Sequence, residues 1–216
     1  ALMRGVYERT STPVTQAQAE QLIRFVRGDD AFDEDRDGDV SDTRWKLGDL
    51  YHSAPIVVGN PSLPTTSDPS FSDQAAYFRY VNGYGAFTTT TRTEVVYVGG
   101  NDGMLHAFDA SSGEELWAFI PPMLLNKLTG LLGNVANTSS SIYGVDGSPT
   151  VADVLIDGQW RTVLMAGLGR GGEGYFALDV TVPESPQLLF AFENRPQDQM
   201  VRHWSADGSV REFDYA

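Results

Sequence analysis

A short pattern that returns 94 positions later constrains this chain more than any other feature. Ser53-Ala54-Pro55-Ile56-Val57 recurs as Gly147-Ser148-Pro149-Thr150-Val151, with Asp49 and Asp146 preceding the two copies. A second pair follows in step: Val96-Tyr97-Val98-Gly99 through Ala107-Phe108-Asp109 matches Leu164-Met165-Ala166-Gly167 through Ala177-Leu178-Asp179. Each unit thus reads as a proline-led strand, an apolar strand ending in glycine, a glycine-rich turn, and a strand ending Ala-apolar-Asp. A block that recurs in this way is one supersecondary unit that buries its apolar face only against a neighbour. Four antiparallel strands per unit is the pattern of a propeller blade. The expected fold is mainly β: a partial β-propeller of about two four-stranded antiparallel blades, with an N-terminal helix and one inserted helix. Two blades do not close a ring, so the chain is expected to be a piece of a larger propeller.

The local signals agree with this division. Residues 1–28 form an N-terminal helical segment, in which Thr15 can cap a helix with Gln18 as its capping-box partner. Leu22, Ile23, Phe25 and Val26 supply the apolar stripe, and Gly28 stands where a helix ends. Residues 29–44 form an acidic loop, and 45–192 carry the blades. Short runs of period two, bounded by Gly, Pro, Asn or Asp, fall at 56–58, 94–98, 105–108, 116–120, 150–154, 162–166, 175–179 and 188–192. Asn101-Asp102-Gly103 and Asp157-Gly158 are hairpin turns by composition. A leucine stripe over 122–132 predicts the inserted helix. Residues 60–93 read as a long connection rich in Ser, Thr, Pro and aromatics, of the kind that faces a partner. Residues 193–216 are expected as a tail leading toward a further blade.

The loop concentrates the charge. Between Asp29 and Asp42 there are eight acidic residues against one base, Arg36, so half of the chain's net charge of −14 lies in that stretch. Asp33, Asp35, Asp37, Asp39 and Ser41 place oxygens at positions 1, 3, 5, 7 and 9 of an EF-hand-type loop, with Gly38 at position 6. Calcium takes six to eight hard oxygen ligands, and alternate positions in a tight turn converge on one centre. Asp33, Asp35 and Asp37 are expected to give carboxylates, Asp39 its backbone carbonyl, and Ser41 a contact made directly or through water. Arg44 occupies position 12, where such loops carry a bidentate acid. Asp42, Asp30 or Asp49 is therefore needed to complete the shell. The competing reading is a solvated acidic loop, but four crowded carboxylates repel one another unless a cation sits among them. Calcium is the cofactor the sequence predicts.

Other classes are excluded by composition. With 15 basic against 29 acidic residues, the chain lacks the cationic surface that nucleic-acid phosphates require. No apolar run is long enough to span a membrane. The chain has no cysteine, which removes disulfides, thiolate metal sites and a cysteine nucleophile.

Six segments occur in one order: 23–29 (Ile-Arg-Phe-Val-Arg-Gly-Asp), 47–55 (Leu-Gly-Asp-Leu-Tyr-His-Ser-Ala-Pro), 96–109 (Val-Tyr-Val-Gly-Gly-Asn-Asp-Gly-Met-Leu-His-Ala-Phe-Asp), 145–149 (Val-Asp-Gly-Ser-Pro), 160–164 (Trp-Arg-Thr-Val-Leu) and the glycine-rich 167–181. Together, over roughly residues 20–192, they resemble the C-terminal β-propeller of the PilC/PilY family of type IV pilus biogenesis factors and tip adhesins. The resemblance implies an exported protein with a periplasmic stage, placed at the pilus tip and outer-membrane surface. It implies support of pilus extension, surface adhesion and twitching motility. Pilins, minor pilins or pilus assembly proteins are the partners it implies, with a host or abiotic surface beyond them. The propeller of this family is described as calcium-regulated, through a loop that lies further along the propeller than residues 29–44.

Several motifs have plainer readings. Gly99 through Asp109, with Ser112-Gly113 and Trp117, also resembles the blades of quinoprotein-like dehydrogenases, and outer-membrane assembly propellers form a further alternative. Quinone chemistry of that kind implies adjacent cysteines, which are absent here. A non-enzymatic scaffold is the reading adopted. The glycines from Gly167 to Gly174 lie between two strands and do not open a helix, so a hairpin is expected rather than a dinucleotide loop. Arg27-Gly28-Asp29 is an integrin-type tripeptide in which Gly28 is better read as a helix cap. His52, His106 and His203 fit no metal spacing. Asn137-Thr138-Ser139 is nominally a glycosylation acceptor.

Overall fold

The structure is a computed structural model that describes residues 15–33, 35–133 and 142–215. It contains two antiparallel sheets. The first runs β1 (Ile56–Val58), β2 (Val95–Gly99), β3 (Leu105–Asp109) and β4 (Glu115–Phe119), each strand paired with the next. The second runs β5 (Thr150–Ile156), β6 (Gln159–Gly167), β7 (Gly174–Asp179), β8 (Gln187–Arg195), β9 (Met200–Ser205) and β10 (Val210–Asp214). All eight expected strands are present. Between β5 and β6 the turn residues Asp157 and Gly158 have φ of 51° and 76°, and Ile156 pairs with Gln159. Left-handed backbone at both central residues is the hairpin turn whose twist matches the strands it joins.

The repeats touch each other at equivalent positions. His52 Nδ1 lies 2.8 Å from Asp146 Oδ2, Ser53 Oγ donates to Gly147 O at 3.2 Å, and the Ala54 N–H donates to Ser148 Oγ at 3.0 Å. Each of these three contacts joins residues 94 apart. Ser53 Oγ also accepts the Gly99 N–H at 2.9 Å, so one hydroxyl ties both repeats to the end of β2. Backbones crowd here. A Cβ at Gly99 would stand 2.0 Å from Val145 O, and one at Gly171 would stand 1.7 Å from Gly144 O.

Behind this seam the sheets share one core. Val95, Tyr97, Leu105 and Ala107 of the first pack with Leu164, Ala166, Phe176, Leu178, Ala191 and Trp204 of the second. Burying an aliphatic or aromatic side chain contributes about 1.5–3 kcal/mol, whereas an exposed ion pair contributes about 0–1 kcal/mol. The joint core therefore holds the pair of sheets, and the seam sets their register.

Three features depart from the sequence expectation. The second sheet has six strands, because the segment after Phe192 supplies β9 and β10. A 3-10 turn at Pro196–Asp198 and left-handed Gln199 (φ 53°) reverse the chain so that β9 bonds the free edge of β8. The inserted helix is present, but Pro122–Gly133 coil as a 3-10 helix. The 60–93 connection contains two helices, α2 (Gln74–Val81) and α3 (Tyr84–Phe87). Tyr84 is fully buried beneath them, donates its hydroxyl to Asp153, and packs edge-on against Trp160 at 4.8 Å. The α2 stretch lacked a long periodic run, and its packing against the β5–β6 hairpin supplies what local propensity does not. Asn137-Thr138-Ser139 lies outside the described residues.

Ser53→Ala leaves a buried N–H at Gly99 without its acceptor. Chemical denaturation is expected to show a loss of about 1–3 kcal/mol, with the denaturant slope unchanged.

Candidate metal centre

The acidic loop is built onto the end of a capped helix. In the helix before it, named α1 (Gln16–Arg27), Thr15 accepts the Gln18 N–H and the Gln18 side chain accepts the Thr15 N–H, a complete capping box. Gly28, at φ 105°, ends it with a left-handed C-cap. Arg24 and Arg27 in the last turn oppose the negative helix end. Arg24 then grips the loop twice, through Asp29 Oδ2 at 2.8 Å and Val40 O at 2.7 Å. Gln21 donates to Ala31 O at 2.7 Å, and the Arg44 guanidinium lies 3.9 Å above the Phe25 ring. An antiparallel bridge between Asp29 and Thr43 closes the loop at its neck. Leu22, Phe25 and Ala31 pack with Leu128 and Leu131, which joins loop and helix to the 3-10 segment.

Within the loop the expected residues turn inward in sequence. The Asp33 carboxylate accepts the Gly38 N–H at 3.1 Å, Asp35 accepts the Asp37 N–H at 3.2 Å, and Asp37 accepts the Asp39 N–H at 2.7 Å. Gly38, at φ 88°, supplies the left-handed residue that this reversal requires. Carboxylate oxygens of Asp33, Asp35 and Asp37 lie within 4.8 Å of one another. Asp30, Asp35 and Asp42 form a second such group that shares Asp35 with the first. Asp30 is buried, and Asp42 Oδ1 is buried without a hydrogen bond. The Asp39 carboxylate is taken up by the Ser41 hydroxyl at 2.6 Å and the Ser41 N–H at 2.8 Å.

The electrostatics separate neighbouring acids. Ser41 holds the Asp39 carboxyl below its usual range, first through its hydroxyl and then through its N–H. Burial pushes Asp42 upward, and the charges of Asp35, Asp37, Asp30 and Asp39 push it the same way. A cation among these oxygens would relieve both causes at Asp42. Two overlapping groups of hard oxygens suit calcium or another oxygen-seeking cation. Asp49, the other acid considered for the shell, instead accepts from Asn101 Nδ2 at 2.9 Å in the turn between β2 and β3.

The remaining candidates have structural partners. Arg27-Gly28-Asp29 is folded into the helix end, with Asp29 held by Arg24 and by the bridge to Thr43. His106 is buried between two carboxylates, with Nε2 2.9 Å from Asp102 and Nδ1 2.7 Å from Glu115. Glu115 also meets Lys46 Nζ at 2.9 Å, and Asp102 accepts the Gly48 N–H at 2.8 Å. This network pins the segment after the acidic loop to the first sheet. The sequence singled out His106 but not Glu115, because their approach depends on a register shift at Ala107/Phe108 that no local pattern signals.

The family described as the PilY1 beta-propeller domain matches residues 47–203. The chain belongs to the PilY1 family. Its relatives include the type IV pilus biogenesis factor PilY1 of Pseudomonas aeruginosa (strain UCBPP-PA14), 39% identical over 180 residues. That match covers 81% of this chain and 14% of the relative. A PilY1 homolog of Xylella fastidiosa (strain Temecula1 / ATCC 700964) is also 39% identical over 180 residues, covering 83% of this chain and 14% of its own length. The crystal structure of the Pseudomonas aeruginosa PilY1 C-terminal domain is similar at 30% identity and a TM-score of 0.46, covering 73% of this chain and 36% of that one. The chain thus spans about one seventh of the curated PilY1 relatives it matches.

His106 carries a sign-definite test. Burial alone would lower its pKa, but the hydrogen bonds and charges of Asp102 and Glu115 outweigh that and raise it above 6.5. The folded state therefore binds the proton more tightly than the unfolded one. The resulting stability is complete below about pH 6.5 and is lost as pH rises through the folded value. Denaturation midpoints are expected to fall as pH is raised across that window, and His106→Gln is expected to flatten the fall.

Proposed function

We propose that this chain is a non-enzymatic, calcium-binding scaffold within a PilY1-type protein of the type IV pilus. The single observation that carries the calcium reading is the convergence at Asp35. Its carboxylate belongs to both acidic groups, next to the buried and unbonded Asp42 Oδ1. Asp33, Asp35 and Asp37 would hold the ion from one side, Asp30 and Asp42 from the other, with the Asp39 carbonyl at position 7. Ser41 positions Asp39 and reaches the shell through water. Calcium would offset part of the loop's negative charge and lock its neck against α1, which stiffens the entry to the first sheet.

The pilus reading rests on the relatives, which are named type IV pilus biogenesis factors. By that relationship the parent protein is exported, acts at the outer-membrane surface and pilus tip, and engages pilins or assembly proteins. Support of pilus extension, adhesion and twitching motility follows from the same placement. No helix among the described residues is long and apolar enough to cross a membrane.

Calorimetry tests the ion site. Calcium is expected to bind with a sub-millimolar dissociation constant and Asp35→Asn to weaken it at least tenfold, within the span of known oxygen-ligand sites. Binding weaker than about millimolar would overturn the reading. Asp42 gives an independent check with opposite signs. Its raised pKa means that ionisation costs stability as pH rises above the ordinary carboxylate range. Without calcium at neutral pH, Asp42→Asn is expected to match or exceed the parent's melting temperature, and with calcium to fall below it. For the pilus role, Asp35→Asn in the full-length protein is expected to reduce twitching zones in a strain deleted for the parent gene, relative to complementation with the unaltered protein.

A further inference from the structure

A cavity of about 390 Å³ lies where the last turn of α1 and residues after the acidic loop meet β3 and β4. Val26, Met104, Phe119 and Ile120 supply apolar walls, while Arg27, Lys46, His106 and Glu115 supply the charged groups. Those charges are unevenly satisfied. Glu115 serves both Lys46 and His106, and Asp102 serves His106 from behind. The Arg27 side chain makes no ion pair among the described residues, and the nearby Asp29 is held by Arg24. An exposed guanidinium whose nearest acid in sequence is held by another arginine therefore lines a cavity with both polar and apolar walls.

We propose that this cavity binds a small amphipathic monocarboxylate, with its carboxylate on Arg27 and its apolar body against Val26, Met104, Phe119 and Ile120. Guanidinium pairs with carboxylate through a planar fork of donors, the strongest side-chain recognition available to a single cation. The volume lies in the range of small-ligand sites, which are largely apolar with a few placed polar groups. A purely polar anion leaves the apolar walls uncovered, and an organic cation meets Arg27 and Lys46 at the rim. The charge and the walls together select an acid with an apolar tail. The site lies outside the acidic loop, although both border the last turn of α1 and the segment that follows the loop.

The test uses the whole chain at fixed calcium, with octanoate, octanol, octylamine and inorganic phosphate as probes in calorimetry and NMR. Octanoate is expected to bind with shifts at Met104 and Phe119, at least tenfold tighter than octanol, with no binding of octylamine or phosphate. Arg27→Gln is expected to bring octanoate down to the octanol level with the circular dichroism spectrum unchanged and at most a small fall in melting temperature from the lost helix-end charge, and Arg27→Lys to recover part of the loss. Ala118→Phe, which narrows the cavity from its exposed side, is expected to weaken octanoate and octanol together. The proposal is overturned if octanoate fails to bind below about 10 mM. Unchanged octanoate affinity in Arg27→Gln, or phosphate or octylamine binding as tightly as octanoate, overturns it equally.

Discussion

The contact between equivalent positions of two repeats is what the rest of this structure depends on. Ser53, with its hydroxyl shared between Gly147 O and the Gly99 N–H, sits at the middle of that contact. Close backbone approach at Gly99, Gly144 and Gly171 allows the first and second sheets to present their apolar faces to one core. A side chain at any of these glycines would hold the backbones apart and open the core behind them. The dispersion and burial energy of that core is large, but it is non-directional. The seam supplies the direction.

The acidic loop obeys a different economy. Its carboxylates are gathered by N–H donors in a tight turn, and the resulting repulsion is expressed at Asp42, whose buried oxygen has no donor. The helix end beside it would ordinarily worsen matters, yet Arg24 meets Asp29 and Val40 O there and Arg44 covers Phe25. The loop is thus anchored at its neck and charged at its centre. Through Lys46, Glu115, His106 and Asp102, the same segment continues into the first sheet, so a change of charge in the loop and the packing of the blade share one stretch of backbone.

Much of this was legible in advance where the cause is local. The capping box at Thr15 and Gln18, the left-handed Gly28, the hairpin at Asp157-Gly158 and the oxygens of Asp33, Asp35 and Asp37 all act within a few residues of themselves. Strand positions were legible because a half-buried strand alternates, and the repeat marked which strands correspond. The helices α2 and α3 were not, since their short sequences become helical by packing Tyr84 and Asn82 onto Trp160 and Asp153. The 3-10 winding of 122–133 was hidden for the same reason: a leucine stripe specifies an apolar face but not the pitch at which the surrounding core accepts it.

By itself, then, the sequence determined the repeat, the strands, the turns and the residue types of the acidic loop, because each follows from backbone preference or side-chain chemistry at short range. Only the tertiary structure decided that His52 would meet Asp146, that Glu115 would close on His106, that Asp30 and Asp42 would join Asp35, and that Arg27 would line a cavity. The physical reason is that these groups are brought within reach by the packing of whole sheets and helices, and the favourable energy of that packing comes from apolar surface that carries no information about which polar groups it will bring together.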